Sequence, residues 1–88
     1  MTKAEATLEI WNSRKAPRAY VVEPWAADYT LLADQKMTIF ASASERLPRF
    51  TIQERDEITQ IWCDETDSYS VTLNGHEIEC GHQRQPAE

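Results

Sequence analysis

Four residues in the C-terminal part of the chain have side chains that bind zinc or act as nucleophiles. They are Cys63, His76, Cys80 and His82. At about 3.3 Å per residue, His76 and Cys80 would lie roughly 13 Å apart along a strand, whereas zinc needs its ligands within ~2.0–2.3 Å of one point. A smaller site of Cys63, Cys80 and His82 requires the strand of Cys63 to lie beside the last strand. We therefore predict no metal site and no cofactor, with semi-buried thiols and surface histidines.

Two other arrangements could carry out catalysis. Cys80 and His82 form a nucleophile and base pair only if the strand breaks at Gly81, because their Cα atoms would otherwise be ~6.6 Å apart. The carboxylates are grouped in predicted turns at residues 54–57 and 64–67. Exposed turns provide neither the burial nor the rigid like-charge neighbour that shifts a carboxyl pKa for catalysis. We therefore predict no catalytic residue.

Three tryptophans in 88 residues are more than a small core requires. If Leu8 faces inward, Trp11 faces outward, and Trp25 follows a proline that ends a strand. Exposed tryptophans are common anchors of protein interfaces, although aromatic side chains also close the ends of small sandwiches. We take Trp25, Trp11 and Trp62 as candidate binding residues, together with Glu23 of the Glu23-Pro24-Trp25 tripeptide.

The elements that position these residues are predicted to be β-strands. The clearest signal is the stretch 69–82, in which two alternating runs flank Asn74-Gly75. These two residues tolerate the positive φ of a two-residue type I′ turn, which predicts a β-hairpin. Alternation places Tyr69, Val71, Leu73, Ile78 and Cys80 on one face.

Further runs of β-branched and aromatic residues recur every 8–12 residues or so, as is typical of all-β sandwiches and barrels. The predicted strands cover residues 7–12, 18–23, 28–32, 36–41, 49–54 and 57–63, in addition to the hairpin. The fold class is therefore all-β, a small antiparallel β-sandwich or partly open barrel of about seven to eight short strands. Residues 1–88 form one domain, and residues 82–88 are predicted to be a frayed tail.

The run 58–63 carries large apolar groups on both faces, so its register is open. If the following strand pairs with it through four loop residues, Trp62 lies opposite Tyr69 and faces the core. Five loop residues would instead place Cys63 opposite Tyr69. The sequence does not choose between these registers.

The net charge of −6 is unevenly distributed. Residues 1–52 contain seven Lys or Arg and six acidic residues, whereas residues 53–88 contain two and nine, a net charge of −7. This acidic half would repel phosphate backbones, so we predict no nucleic-acid binding. No apolar run approaches the ~20 residues that span a bilayer, and acidic residues interrupt the first ten positions, so we predict no membrane contact and a cytoplasmic location.

A motif centred on the tripeptide Glu-Pro-Trp covers less than half of the chain. The pattern N-x4-P-x4-V-E-P-W-x3-Y-x-L is formed by Asn12, Pro17, Val22, Glu23, Pro24, Trp25, Tyr29 and Leu31. It resembles a group of short, uncharacterised bacterial proteins that carry an E-P-W motif between two strands. The resemblance implies a bacterial cytoplasmic β domain and brings no activity with it.

These observations favour a non-catalytic binding module or small accessory protein that acts through protein–protein contacts. An alternative is an acidic inhibitor that imitates the charge of a nucleic acid toward a basic protein. A second alternative is a small metal-dependent or jelly-roll enzyme. The partner is an unknown protein, and the chain is expected to be a monomer or a weak homodimer, because its sheets have edges that could pair.

Overall fold

The computed structural model describes residues 3–86, which form eight β-strands in two four-stranded sheets. The prediction of an all-β fold is confirmed, and the sheets stack as a sandwich without closing into a barrel. The strands are β1 (Ala4–Trp11), β2 (Arg18–Glu23), β3 (Ala27–Leu31), β4 (Lys36–Ala43), β5 (Arg49–Glu54), β6 (Ile58–Asp64), β7 (Ser68–Leu73) and β8 (His76–Ile78). Residues 3–86 include no helix with the length and apolar character needed to cross a membrane.

The first sheet has the order β1-β4-β7-β8 and is antiparallel throughout. The second has the order β3-β2-β6-β5, in which β2 and β6 are parallel. Only β2–β3, β5–β6 and β7–β8 are hairpins between strands that follow one another in sequence. The other connections cross between the sheets, so fewer strands pair with their neighbours in sequence than the even strand spacing suggests.

The core lies between the sheets and follows from alternation. Met37, Ile39 and Ala41, predicted to share one face of β4, are all buried. Met37 and Ile39 meet Val22 and Ile61 of the second sheet in one cluster of buried residues. Each large aliphatic side chain that is fully buried contributes roughly 1.5–3 kcal/mol to folding, so this inward stripe holds the sheets together.

The register of β6 differs from both predicted alternatives. Each assumed that β6 pairs with β7, but β6 lies between β2 and β5, while β7 lies between β4 and β8. As a result, Ile61 and Cys63 face the core and Trp62 faces outward. Neither predicted loop length applies, because the connection crosses from one sheet to the other.

The Asn74-Gly75 turn is confirmed, with φ of 53° and 79°. Val71 pairs with Ile78 across the hairpin, as alternation predicts. The second strand nevertheless ends at Ile78, so Cys80 does not continue the predicted face of the hairpin, and its thiol is not semi-buried as predicted. Cys80 is exposed because the chain leaves the first sheet here and turns toward β3.

The segment after Cys80 is docked on the sandwich, in contrast to the predicted frayed tail. The backbone N–H of Thr30 donates to the carbonyl of His82 at 2.9 Å, and the Gln83 side chain donates to the carbonyl of Thr30 at 2.8 Å. Arg84 forms two hydrogen bonds with the carboxylate of Asp28. These contacts cover the outer edge of β3. Residues 87–88 of the predicted tail lie outside the described residues.

Candidate functional site

A groove of about 560 Å³ opens at one end of the sandwich, and we call it the loop groove. It is lined by Pro24, residues 43–46 and residues 62–67. Three connections meet here: the β2–β3 turn and the two loops that cross between sheets after β4 and β6. The groove is therefore bounded by loops that are anchored on rigid strands, which is where binding residues are commonly found.

The Glu23-Pro24-Trp25 tripeptide forms most of the β2–β3 turn. The Glu23–Pro24 peptide bond is cis, and Ala26 has a φ of 53°. The carboxylate of Glu23 accepts hydrogen bonds from the Ala26 backbone N–H at 3.2 Å and from the Gln60 side chain at 2.9 Å. Both oxygens of Glu23 are thus engaged within the protein, and its role is to hold the turn.

Trp25 packs against the first sheet from this turn. Its ring lies 4.5 Å from the ring of Tyr69 with an interplanar angle of 34°, and the side chain is 40% exposed. The hydroxyls of Tyr69 and Tyr29 share a hydrogen bond of 3.1 Å. Burial, and then this hydrogen bond, raises the pKa of Tyr29 above its usual range. Trp25 therefore closes the end of the sandwich beside the groove.

Trp62 is the aromatic residue of the groove wall. It lies on the outer face of the second sheet, directly across from Glu23 on β2 and Thr51 on β5. The side chain is 36% exposed, and its Nε1–H donates to the Gln53 side chain at 3.4 Å. Asp64 follows two positions later on the same face and accepts a hydrogen bond of 2.8 Å from the Thr51 hydroxyl. A rigid strand thus presents an indole and a carboxylate side by side.

The groove is acidic. Its lining contains four acidic residues and one basic residue, a net charge of −3 at neutral pH: Glu45, Asp64, Glu65, Asp67 and Arg46. Arg46 pairs with Glu65 at 2.8 Å, and Asp67 accepts hydrogen bonds from the backbone and hydroxyl of Ser44. Within residues 3–86, Glu45 forms no ion pair, so the groove retains uncompensated negative charge.

Trp11 lies at the other end of the molecule, because it pairs with Lys36 at the beginning of β4, whereas the groove is beside the end of β4. Its side chain is 56% exposed, and the Lys36 Nζ lies 5.2 Å from the ring centroid. Of the four candidate binding residues, the fold thus brings Glu23, Trp25 and Trp62 to one end and separates Trp11 from them.

The residues considered for metal binding do not come together. No group of three His, Cys, Asp or Glu side chains within residues 3–86 is arranged to hold a metal ion. Cys63 faces the core from β6, and burial, followed by the charge of Asp64, raises the pKa of its thiol to about 11. Cys80 is beyond β8, so the condition for a site with Cys63, that the two strands lie side by side, is not met.

Two kinds of residue could not be identified from the sequence. Arg18 and Asn12 are buried polar side chains, and the sequence offers no signal that distinguishes them from exposed polar residues. The groove lining was missed because residues 64–67 were assigned to a solvated hairpin turn. The run of three acids in four positions was the available signal, but only the crossing between sheets sets it beside an indole.

Comparison with known proteins adds no assignment. No protein-family model, curated protein or solved structure matches this chain. The function is therefore inferred from the geometry of the groove, beginning with the exposed indole of Trp62 and the carboxylates around it.

Proposed function

We propose that this protein is a non-catalytic binding module that contacts a partner protein through the loop groove. The observation that carries the proposal is Trp62, which lies exposed on the outer face of β6 at the wall of an open groove. The core between the sheets is already filled by other side chains, so the fold does not need this indole on its surface. Partly exposed tryptophan in a concave site is among the residues that contribute most to protein interfaces.

The surroundings of Trp62 support this role. The indole is held by strand β6 rather than by a loop, and its neighbours Glu23 and Thr51 are fixed on adjacent strands. A side chain that is already ordered loses little conformational freedom on binding. The negative charge of the groove favours a partner that is basic at the point of contact and disfavours nucleic acid.

The test is a pull-down from the source organism's lysate with the wild type, Trp62→Leu and Trp11→Leu. Trp11 is the matched control, because it is an exposed tryptophan at the opposite end of the sandwich. We expect Trp62→Leu to lose the partner and Trp11→Leu to retain it, with urea unfolding midpoints showing that both variants fold. Equal capture by all three proteins, or equal loss in both variants, would contradict the proposal.

A second candidate is an acidic inhibitor of a basic protein, and the net charge of −7 in residues 53–88 favours it. This function depends on long-range charge, so its association would weaken steeply as salt is raised and would be insensitive to Trp62→Leu. Repeating the pull-down at low and high salt separates the two functions. One of its carboxylates, Glu54, is already paired with Arg14 and Arg18.

A further inference from the structure

We infer that the loop groove recognises an arginine side chain of the partner, whose guanidinium stacks on Trp62 and pairs with Asp64. This inference rests on the proposed function and specifies which chemical group of the partner the groove binds. The supporting features are the spacing of the two side chains, the unused hydrogen-bonding capacity of the carboxylate, and the way the groove already accommodates an arginine of its own.

The spacing suits a guanidinium. Trp62 and Asp64 are two residues apart on one face of β6, which separates their Cα atoms by roughly 6.6 Å. A cation that stacks within about 6 Å of an indole ring can therefore reach the neighbouring carboxylate at the same time. Glu23, directly across from Trp62 on β2, adds negative charge on the neighbouring strand.

Asp64 has the capacity for this contact. Its Oδ2 accepts the Thr51 hydroxyl, while no hydrogen bond or ion pair engages Oδ1 within residues 3–86. Arg49 lies across from Asp64 on β5, but no ion pair joins the two in this part of the chain. The free oxygen can therefore accept from a guanidinium that lies over the indole.

Arg46 shows that a carboxylate of the groove can pair with a guanidinium. It reaches from the β4–β5 loop to Glu65 on the β6–β7 loop, and its side chain remains 71% exposed. An internal arginine thus already pairs with one groove carboxylate, although it leaves Asp64 and Glu45 uncompensated. Because its charge repels an incoming arginine, Arg46→Gln is expected to strengthen binding. Arginine is preferred over lysine, because its planar group can stack and donate in one orientation.

The experiment titrates isotope-labelled protein with a short glycine-serine peptide that has one central arginine, and with matched citrulline and lysine peptides. Citrulline keeps the shape of arginine without its charge. We expect the Trp62 indole N–H and the Asp64 amide to shift with the arginine peptide. The citrulline peptide should bind roughly three- to thirtyfold more weakly, since a cation–π contact and a surface ion pair are both lost. Asp64→Asn should weaken arginine binding, and Arg46→Gln should tighten it.

Three outcomes would overturn the inference: equal binding of the arginine and citrulline peptides, shifts confined to residues outside the groove, or Asp64→Asn binding as tightly as the wild type. Trp11→Leu is the control that should leave the titration unchanged. The lysate pull-down separates this failure from a failure of the proposed function. If Trp62→Leu loses the partner in the pull-down while the arginine peptide fails to bind the wild type, the proposed binding function stands and arginine recognition is rejected.

Discussion

The most direct test of how the fold is held together concerns Arg18, a buried arginine at the end of the sandwich opposite the loop groove. Its side chain is 7% exposed. The guanidinium donates to the Thr59 hydroxyl at 3.0 Å and to backbone carbonyls of the β5–β6 hairpin at 2.8–3.3 Å. It also contacts the carboxylate of Glu54 at 3.4 Å. One side chain of β2 thus fastens the hairpin that forms the other half of the second sheet.

Replacing Arg18 by Met keeps the aliphatic stem and removes all of these hydrogen bonds. Hydrogen bonds to a charged group contribute about 1.5–3 kcal/mol each, but the carbonyls of an exposed turn can bind water instead. The buried Thr59 hydroxyl has less access to solvent. We therefore expect the free energy of unfolding to fall by about 3 kcal/mol, which for a domain of this size lowers Tm by roughly 12–24 °C.

Arg14 provides the matched control, because it pairs with the same Glu54 oxygen at 3.2 Å. Both of these side chains are more than half exposed, so Arg14→Met should change the free energy of unfolding by less than about 1 kcal/mol. Urea unfolding followed by tryptophan fluorescence measures both variants. If the two variants lose the same amount, or if Arg18→Met loses less than about 1 kcal/mol, burial is not what makes Arg18 stabilising, and the reasoning fails.

Three shorter predictions follow from other parts of the sandwich. At pH 8, Ellman's reagent should modify Cys80 in the native protein but reach Cys63 only in urea. The reason is that Cys63 is buried and the pKa of its thiol is raised to about 11. Rapid modification of both thiols in the native protein would contradict this prediction. Hydrogen bonding from Arg84 holds the pKa of Asp28 below its usual range. The pair therefore stabilises the fold at pH values above the unfolded pKa of roughly 3.9. This stabilisation is lost as the pH falls through the depressed pKa of the folded state. Acid unfolding of Asp28→Asn should therefore show a shallower loss of stability below about pH 4 than the wild type, and an unchanged slope would count against the pair. Gly75→Ala should cost about 1 kcal/mol in urea unfolding, because φ is +79° although the space around the Cβ is open; an unchanged midpoint would show that the turn relaxes.

The strands could be predicted from the sequence because alternation is a local property. Lys36–Ala43 buries every second residue, and the Asn74-Gly75 turn has the positive φ that its residue types favour. The partners of each strand could not be predicted in the same way. The connection from β6 to β7 is three residues long, which suits a hairpin, yet three extended residues also span the ~10 Å between stacked sheets. The alternation along the sequence is the same for a hairpin and for a crossing, so the packing of the two sheets decides which of them forms.

The candidate site was predictable in part for the same reason. Parity placed Trp11 outward on β1, and the proline before Trp25 placed that residue in a turn. The orientation of Trp62 depended on which strands flank β6, and this is a matter of sheet order. The acidic lining depends on two loops that are about 20 residues apart in sequence. Their proximity follows from the crossing topology rather than from any local signal.

The two ends of the sandwich differ in how their crossing connections are joined. Two connections cross between the sheets at each end, and the crossings opposite the groove are sealed by Asn12, which is fully buried. Its side-chain amide donates to the carbonyls of Ala16 and Leu31 at 3.0 and 2.9 Å, so one residue joins both crossing segments. At the groove end the contacts between the crossings include the exposed Arg46–Glu65 pair. A buried amide thus joins the crossings at one end of the sandwich, whereas the end where Trp62 is exposed has an exposed ion pair between its crossings and carries the loop groove.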